Sequence, residues 1–213
     1  MTEAASPTRL VLVTPPVEDA VAFAPKLEAA CKTGDIAAVI LNLSTDDEVV
    51  ALSTIRIIAS HLQSSGAALL LAGMPALVEP AGADGVHFFD PEQLLATRTK
   101  LAAGKLCGVG GLPSRHDAMV ASESGADYVM FGEPDAAGKR PGFAALVERV
   151  SWWSEIFQLP CVAFAASLDE VPKLAGARAD FVALGDAIWS AGDNAPQAVA
   201  KASKLIRLPE LAH

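Results

Sequence analysis

The sequence predicts a single (β/α)8 barrel spanning residues 1–213, on three observations. Eight short apolar runs recur along the chain, without the polar alternation of half-exposed strands, as parallel strands buried on both faces require. Longer stretches with helix start and stop signals separate them. One phrase, a helix stop followed at once by a buried strand, is repeated: Gly82-Ala83-Asp84-Gly85-Val86, Gly125-Ala126-Asp127-Tyr128-Val129, and more loosely Gly176-Ala177-Arg178-Ala179-Asp180-Phe181-Val182. A chain of 213 residues is about the length a compact barrel of this kind needs. The rival, a doubly wound open sheet, usually has a glycine-rich turn after its first strand. Here Thr14-Pro15-Pro16-Val17 stands in that place.

The expected strands, in order, are 9–14, 36–43, 67–71, 84–88, 105–109, 127–131, 161–164 and 181–184. The first is stopped by Pro15-Pro16, and the helix after it contains Pro25, so that helix is kinked there or starts there. Thr45-Asp46-Asp47-Glu48 reads as a capping box, followed by Ala51, Ile55, Ile58 and Leu62 at helical spacing. Asp90-Pro91-Glu92-Gln93 places a cap, a proline in the first turn and an amide at the third position. Ser114 and Ser167 are N-cap candidates with Asp117 and Glu170 three residues on; Gly34, Gly66, Gly125 and Gly176 fall where helices stop. The loosest loop, Asp135 to Gly142, follows the sixth strand.

Composition narrows the function. The chain is 52% hydrophobic and 19% charged, too apolar for disorder, and carries a net charge of −9 with no basic run. That balance argues against a nucleic-acid partner. The most apolar window, Ala67 to Val78, is interrupted by Gly73 and Pro75 and is shorter than the ~20 residues of a membrane span. The N-terminal residues lack the pattern of a secretory signal, and Cys31, Cys107 and Cys161 read as reduced thiols, so a cytoplasmic location without a membrane partner is expected. No CxxC, HExxH, GxSxG or P-loop motif occurs. Lys105 begins its strand, at the end opposite a barrel's active face, where a Schiff-base lysine would not serve.

Gly82-Ala83-Asp84-Gly85-Val86-His87, Gly125 to Gly132 and Gly185-Asp186-Ala187-Ile188 resemble the thiamine phosphate synthase/TenI family, with order and spacing agreeing from about Val11 to Ala191. The resemblance implies a TIM barrel of thiamine biosynthesis. Its synthase members are transferases that join hydroxymethylpyrimidine diphosphate to a thiazole phosphate and release pyrophosphate with Mg²⁺; TenI-type members tautomerise a thiazole carboxylate phosphate. Such a site needs cations and Mg²⁺ to hold the leaving pyrophosphate, at the C-terminal ends of the strands.

Against that pattern this chain departs at several places. Ile40, Asn42 and Ser44 stand where the family has Gln, Arg and Lys, and Ala72, Gly73 and Met74 where it has Asn-Asp-Arg. Glu92, with Asp90 next, is the candidate for a second Mg²⁺ carboxylate. Gly110-Gly111-Leu112-Pro113 replaces a Ser and a His, and Leu112 cannot transfer a proton as that His does; His116 lies one turn on. Lys139 keeps the place of the phosphate-binding lysine. Glu133 stands where the family usually has Pro. Ala165-Ala166 replaces a phosphate-binding Gly-Gly pair, and Asp186 replaces a Ser beside Gly185, where its carboxylate would repel phosphate, cap its own helix and fill the anion site.

The candidate substrate residues are therefore Asn42, His87, Gly110, Lys139, Gly185 and Asp186, with Glu92 for metal. Each has a plainer reading. His87 is either a mouth residue or a core histidine satisfied by backbone. Lys139 is a phosphate ligand or a solvated loop lysine beside Arg140. Glu92 is explained by the dipole of a helix's first turn alone. Gly110-Gly111 forms an anion nest or a plain loop. Of Trp152-Trp153, one is expected on the barrel wall and the other at a subunit contact, and high hydropathy with the habit of relatives points to a homodimer. The collective loss of cations, metal carboxylate and phosphate glycines predicts a barrel with weak or no synthase activity, a pseudoenzyme or a binder of a less anionic small molecule at the mouth. The alternative is an active synthase using Mg²⁺.

Overall fold

The computed structural model describes residues 7–135 and 137–207. Its eight parallel strands close into a barrel in sequence order: β1 (Arg9–Val13), β2 (Ile36–Leu41), β3 (Ala68–Ala72), β4 (Gly85–Phe88), β5 (Leu106–Val109), β6 (Tyr128–Phe131), β7 (Cys161–Ala165) and β8 (Phe181–Leu184). β8 returns to β1 in the register Arg9↔Phe181 to Leu12↔Leu184. The helices are α1 (Ala20–Cys31), α2 (Glu48–Leu62), α3 (Val78–Ala81), α4 (Pro91–Thr97), α5 (Arg115–Glu123), α6 (Phe143–Ile156), α7 (Val171–Gly176), α8 (Asp186–Trp189) and α9 (Ala195–Leu205). Among the described residues, no helix is long and apolar enough to cross a membrane.

The uninterrupted apolarity of the strands follows from their two buried faces. Val11, Val13, Ala38, Ile40, Leu70, Met130, Val162 and Ala183 fill the barrel, while Leu10, Leu12, Val39, Leu41, Val129 and Val182 pack outward beneath the helices. On one side the filling is unusual. β4 and β5 present Gly85, His87 and Gly108 inward, and the ring of Tyr128 occupies the space. A Cβ on Gly108 would lie 1.8 Å from its Cζ.

The repeated Gly-Ala-Asp phrase is a clasp on the floor of the barrel. Its aspartate precedes a strand and accepts a hydrogen bond from the first amides of the neighbouring strand. Asp84 Oδ2 accepts from Leu69 N at 2.7 Å, Asp127 Oδ2 from Cys107 N at 2.7 Å and Asp180 Oδ2 from Cys161 N at 2.8 Å. Gly82 (φ 67°) and Gly125 (φ 89°) supply the left-handed residue before it. In the third copy α7 ends at Gly176, as expected, and the left-handed residue before Ala179-Asp180 is Arg178 (φ 65°) rather than a glycine.

Helix starts differ from the sequence reading in detail. α1 starts at Ala20 under an Asp19 cap, with Pro25 inside it. α2 is capped by Asp47, which accepts from Val49 N and Val50 N, so Thr45 supports the cap rather than forming it. Asp90 caps α4 and Ser114–Asp117 is a complete capping box on α5, as expected. Ser167 makes no side-chain cap. Trp153 is buried on the barrel wall; Trp152 is half-buried with the Arg115 guanidinium 4.6 Å over its ring.

Candidate functional site

The C-terminal strand ends form the mouth, and between the β5–α5 and β6–α6 loops it opens into a cleft of about 470 Å³. Its apolar lining is Leu112, Pro113, Met130 and Pro141; its charges come from Glu133, Asp135, Lys139, Arg140 and Arg149. Most of these charges are already committed. Asp135 Oδ1 accepts from the backbone amides of Ala137 (2.9 Å) and Lys139 (2.8 Å), which closes the loop turn. Arg149 donates to the carbonyls of Leu112 (2.8 Å) and Pro113 (3.0 Å), fixing the β5–α5 loop to α6. Arg140 pairs with both oxygens of Glu170 (3.2 and 3.0 Å) and with Phe164 O, while its buried Nε has no partner. The Lys139 ammonium is exposed and pairs with no carboxylate among the described residues.

Behind this cleft runs a buried chain of titratable groups. Tyr128 Oη lies 2.9 Å from His87 Nδ1, and His87 Nε2 lies 3.3 Å from Glu133 Oε2. The His87 side chain is 0% exposed and that of Glu133 7%. Gly110 makes this possible, because a Cβ there would stand 2.0 Å from Glu133 Oε2. Burial, and then the Glu133 charge, pushes the Tyr128 phenol well above its usual range, so it stays a neutral donor. His87 is therefore a core histidine, satisfied by two side chains rather than by backbone.

The remaining candidates do not converge. Asn42 bridges the ends of β1 and β2: its Nδ2 donates to Thr14 O at 2.7 Å and its amide to Thr14 Oγ1 at 2.9 Å. Gly110 N donates to Phe88 O, and Gly185 O accepts from Ile188 N and Trp189 N. Asp186 is exposed and is the first residue of α8, with Gly185 at the cap position and no side-chain cap bond. It makes no cap bond to the helix. Just after β7, Glu170 Oε2 accepts from Ala166 N at 2.8 Å while Arg140 holds it. Arg149 and the structural use of Glu133 were missed by the sequence reading, though Glu133 left a signal, an acid directly after a strand. Glu170 was legible as the third residue after the Ser167 cap candidate, but not its bonds to Ala166 N and Arg140.

The thiols offer no nucleophile: burial pushes Cys31 and Cys161 up to about 12 and raises Cys107. A larger hollow of about 770 Å³ lies at the opposite, N-terminal rim. Its Asp84 is committed to Leu69 N and its Lys105 to Ala83 O, so it offers less free chemistry than the mouth.

The family model described as thiamine monophosphate synthase matches residues 10–188. The chain belongs to that family. A thiamine-phosphate synthase of Rhodospirillum centenum is 37% identical over 202 residues, 93% of this chain and 98% of that one. One of Hyphomonas neptunium is 33% identical over 210 residues, covering 93% and 95%. In fold, the chain is similar to a thiamine phosphate pyrophosphorylase from Pyrococcus furiosus (TM-score 0.77, 18% identity, 93% and 95% covered) and to a 3-hexulose-6-phosphate synthase (TM-score 0.68, 16% identity, 92% and 99%). At such identities these two establish the fold alone.

Synthases of the family use Mg²⁺, and the donor set here does not fit it. Mg²⁺ is held by carboxylates in near-octahedral oxygen sites. After β3 the chain supplies Ala72, Gly73 and Met74, and Glu92 stands exposed in the first turn of α4. Among the described residues, no group of three or more His, Cys, Asp or Glu converges on one point.

Proposed function

We propose that this family member binds a phosphorylated heterocycle of thiamine biosynthesis at the barrel mouth and has weak or no synthase turnover. One observation carries the reading: the amide of Ala166, where the family cradles phosphate, is occupied by the Glu170 carboxylate at 2.8 Å, itself locked by Arg140. A carboxylate there both uses the donor and repels an incoming oxyanion. A donor of this kind is worth about 3 kcal/mol to a developing oxyanion, and the metal carboxylates are lost with it. Lys139 and the outer face of Arg149 leave positive charge enough for a monophosphate at the cleft, the less anionic ligand the sequence anticipates.

The second reading, an active synthase, is favoured by the names of relatives 33–37% identical over 93% of this chain. A thermal shift separates the two. A site that binds magnesium pyrophosphate at 100 times its Kd gains about 2.7 kcal/mol, several degrees of Tm. The expected result is an unmoved Tm in millimolar magnesium pyrophosphate. A rise that Lys139→Ala abolishes would favour the synthase.

A further inference from the structure

The floor of the barrel is not filled by its own side chains. A hollow of about 280 Å³ lies inside the strands at their N-terminal ends, opposite the mouth. Every residue around it is among the first three of its strand or stands immediately before it, and every strand except β4 contributes. In barrels of this kind bulky branched side chains usually fill such a layer. Here β2 and β3 bring Ala37, Ala38 and Ala68, and β4 brings Gly85, which has no side chain to add. Val11, Leu70, Val162 and Phe181 wall the hollow with apolar surface, together with Tyr128. The two charges at its edge are already committed. Arg9 Nη2 lies 2.7 Å from Asp35 Oδ1 and donates to Ile36 O. Asp127 accepts from Cys107 N and pairs with Arg98.

We propose that this floor hollow is a binding site for a small neutral apolar molecule, the size of one aromatic ring with a short substituent. Size sets the upper limit. An apolar cavity of about 150 Å³ holds a benzene molecule, so about 280 Å³ leaves room for a substituent on the ring. Charge sets the class. Neither Arg9 nor Asp127 is free to pair with a ligand's charge, so an ionised molecule would shed its hydration without compensation. Water gains little here either, because it needs two to four polar partners and the walls are apolar. The way in is on the same rim. Ala37, Ala68 and Leu106 reach the surface and also border the wider hollow of about 770 Å³. The site lies at the end of the barrel opposite the phosphate reading and stands whether or not a phosphate binds at the mouth.

Tyr128 is the only tyrosine of the chain, so it reports occupancy by itself. The full chain made with ring-¹³C tyrosine shows one set of tyrosine ring signals by NMR. Toluene is the probe, and benzoate is the charged counterpart of the same ring. Toluene is expected to shift the Tyr128 signals saturably, with half-saturation at or below about 1 mM, and benzoate to bind at least ~10-fold more weakly. Ala68→Leu, which puts a side chain into the hollow, is expected to abolish the toluene shift. Tyr128 signals that toluene leaves unmoved in the wild type, or that benzoate shifts at the same concentration, overturn the proposal, and neither result depends on a variant that must fold. A toluene shift that survives in a folded Ala68→Leu protein overturns it too, because the probe then binds elsewhere.

Discussion

Tyr128 can lie across the barrel only because position 108 has no side chain. The contact of 1.8 Å that a Cβ would make is with the ring carbon that bears the hydroxyl, on a residue packed among Val11, Leu70 and Val162. No rotation of the ring's far end relieves it. Gly108→Ala should therefore destabilise by about 1–3 kcal/mol through overpacking, or more if the His87–Glu133 alignment is lost with it. Tyr128→Phe removes only the phenol–His87 bond and should cost about 1 kcal/mol. Urea denaturation measures both, and a Gly108→Ala variant as stable as the wild type would mean that Tyr128 does not occupy this space. His87 shows what sequence could and could not say. Its place at a strand end was legible, and so was the chance that it is core. Its partners were not, because Tyr128 and Glu133 are 41 and 46 residues away and meet it through two glycines whose value is the absence of a side chain.

At the scale of strands and helices, the repeated aspartate ties each clasped strand to its neighbour. Asp127 is the most heavily used: it receives Cys107 N and lies 3.2 Å from Arg98, which also donates to Lys105 O. Asp127→Ala leaves the strand amide unsatisfied and should cost about 1–3 kcal/mol, whereas Asp127→Asn, whose carbonyl can still accept, should cost less. Chemical denaturation of the pair checks the order; equal losses would show that charge rather than the amide cap is what matters. The phrase was visible in sequence as a helix stop before a strand. Its hydrogen bond was not, since the amide it satisfies lies 15 to 20 residues earlier. In the third copy the helix stops at Gly176 as expected, but the left-handed turn comes two residues later at Arg178, which adopts it despite its side chain.

Across the whole molecule, periodicity carried the architecture, because a parallel barrel with two buried faces writes itself as apolar runs and caps. The site was less legible. Candidate residues chosen by family position assumed that each position still faces the mouth with its hydrogen-bonding capacity free. Asn42 spends its amide on Thr14, Asp186 turns to solvent, and the Ala166 amide just after β7 is taken by Glu170 of the same connection. The Asn42–Thr14 bond and the Arg140–Glu170 pair join segments 28 and 30 residues apart, which only the closed barrel brings together. The central claim is that a mouth whose phosphate donor is occupied and whose metal carboxylates are missing does not expel diphosphate efficiently. It is tested most directly by purifying the protein and measuring thiamine phosphate formed from hydroxymethylpyrimidine diphosphate and thiazole phosphate with excess Mg²⁺. The account predicts turnover at or near background. Sustained turnover that Lys139→Ala abolishes would contradict it.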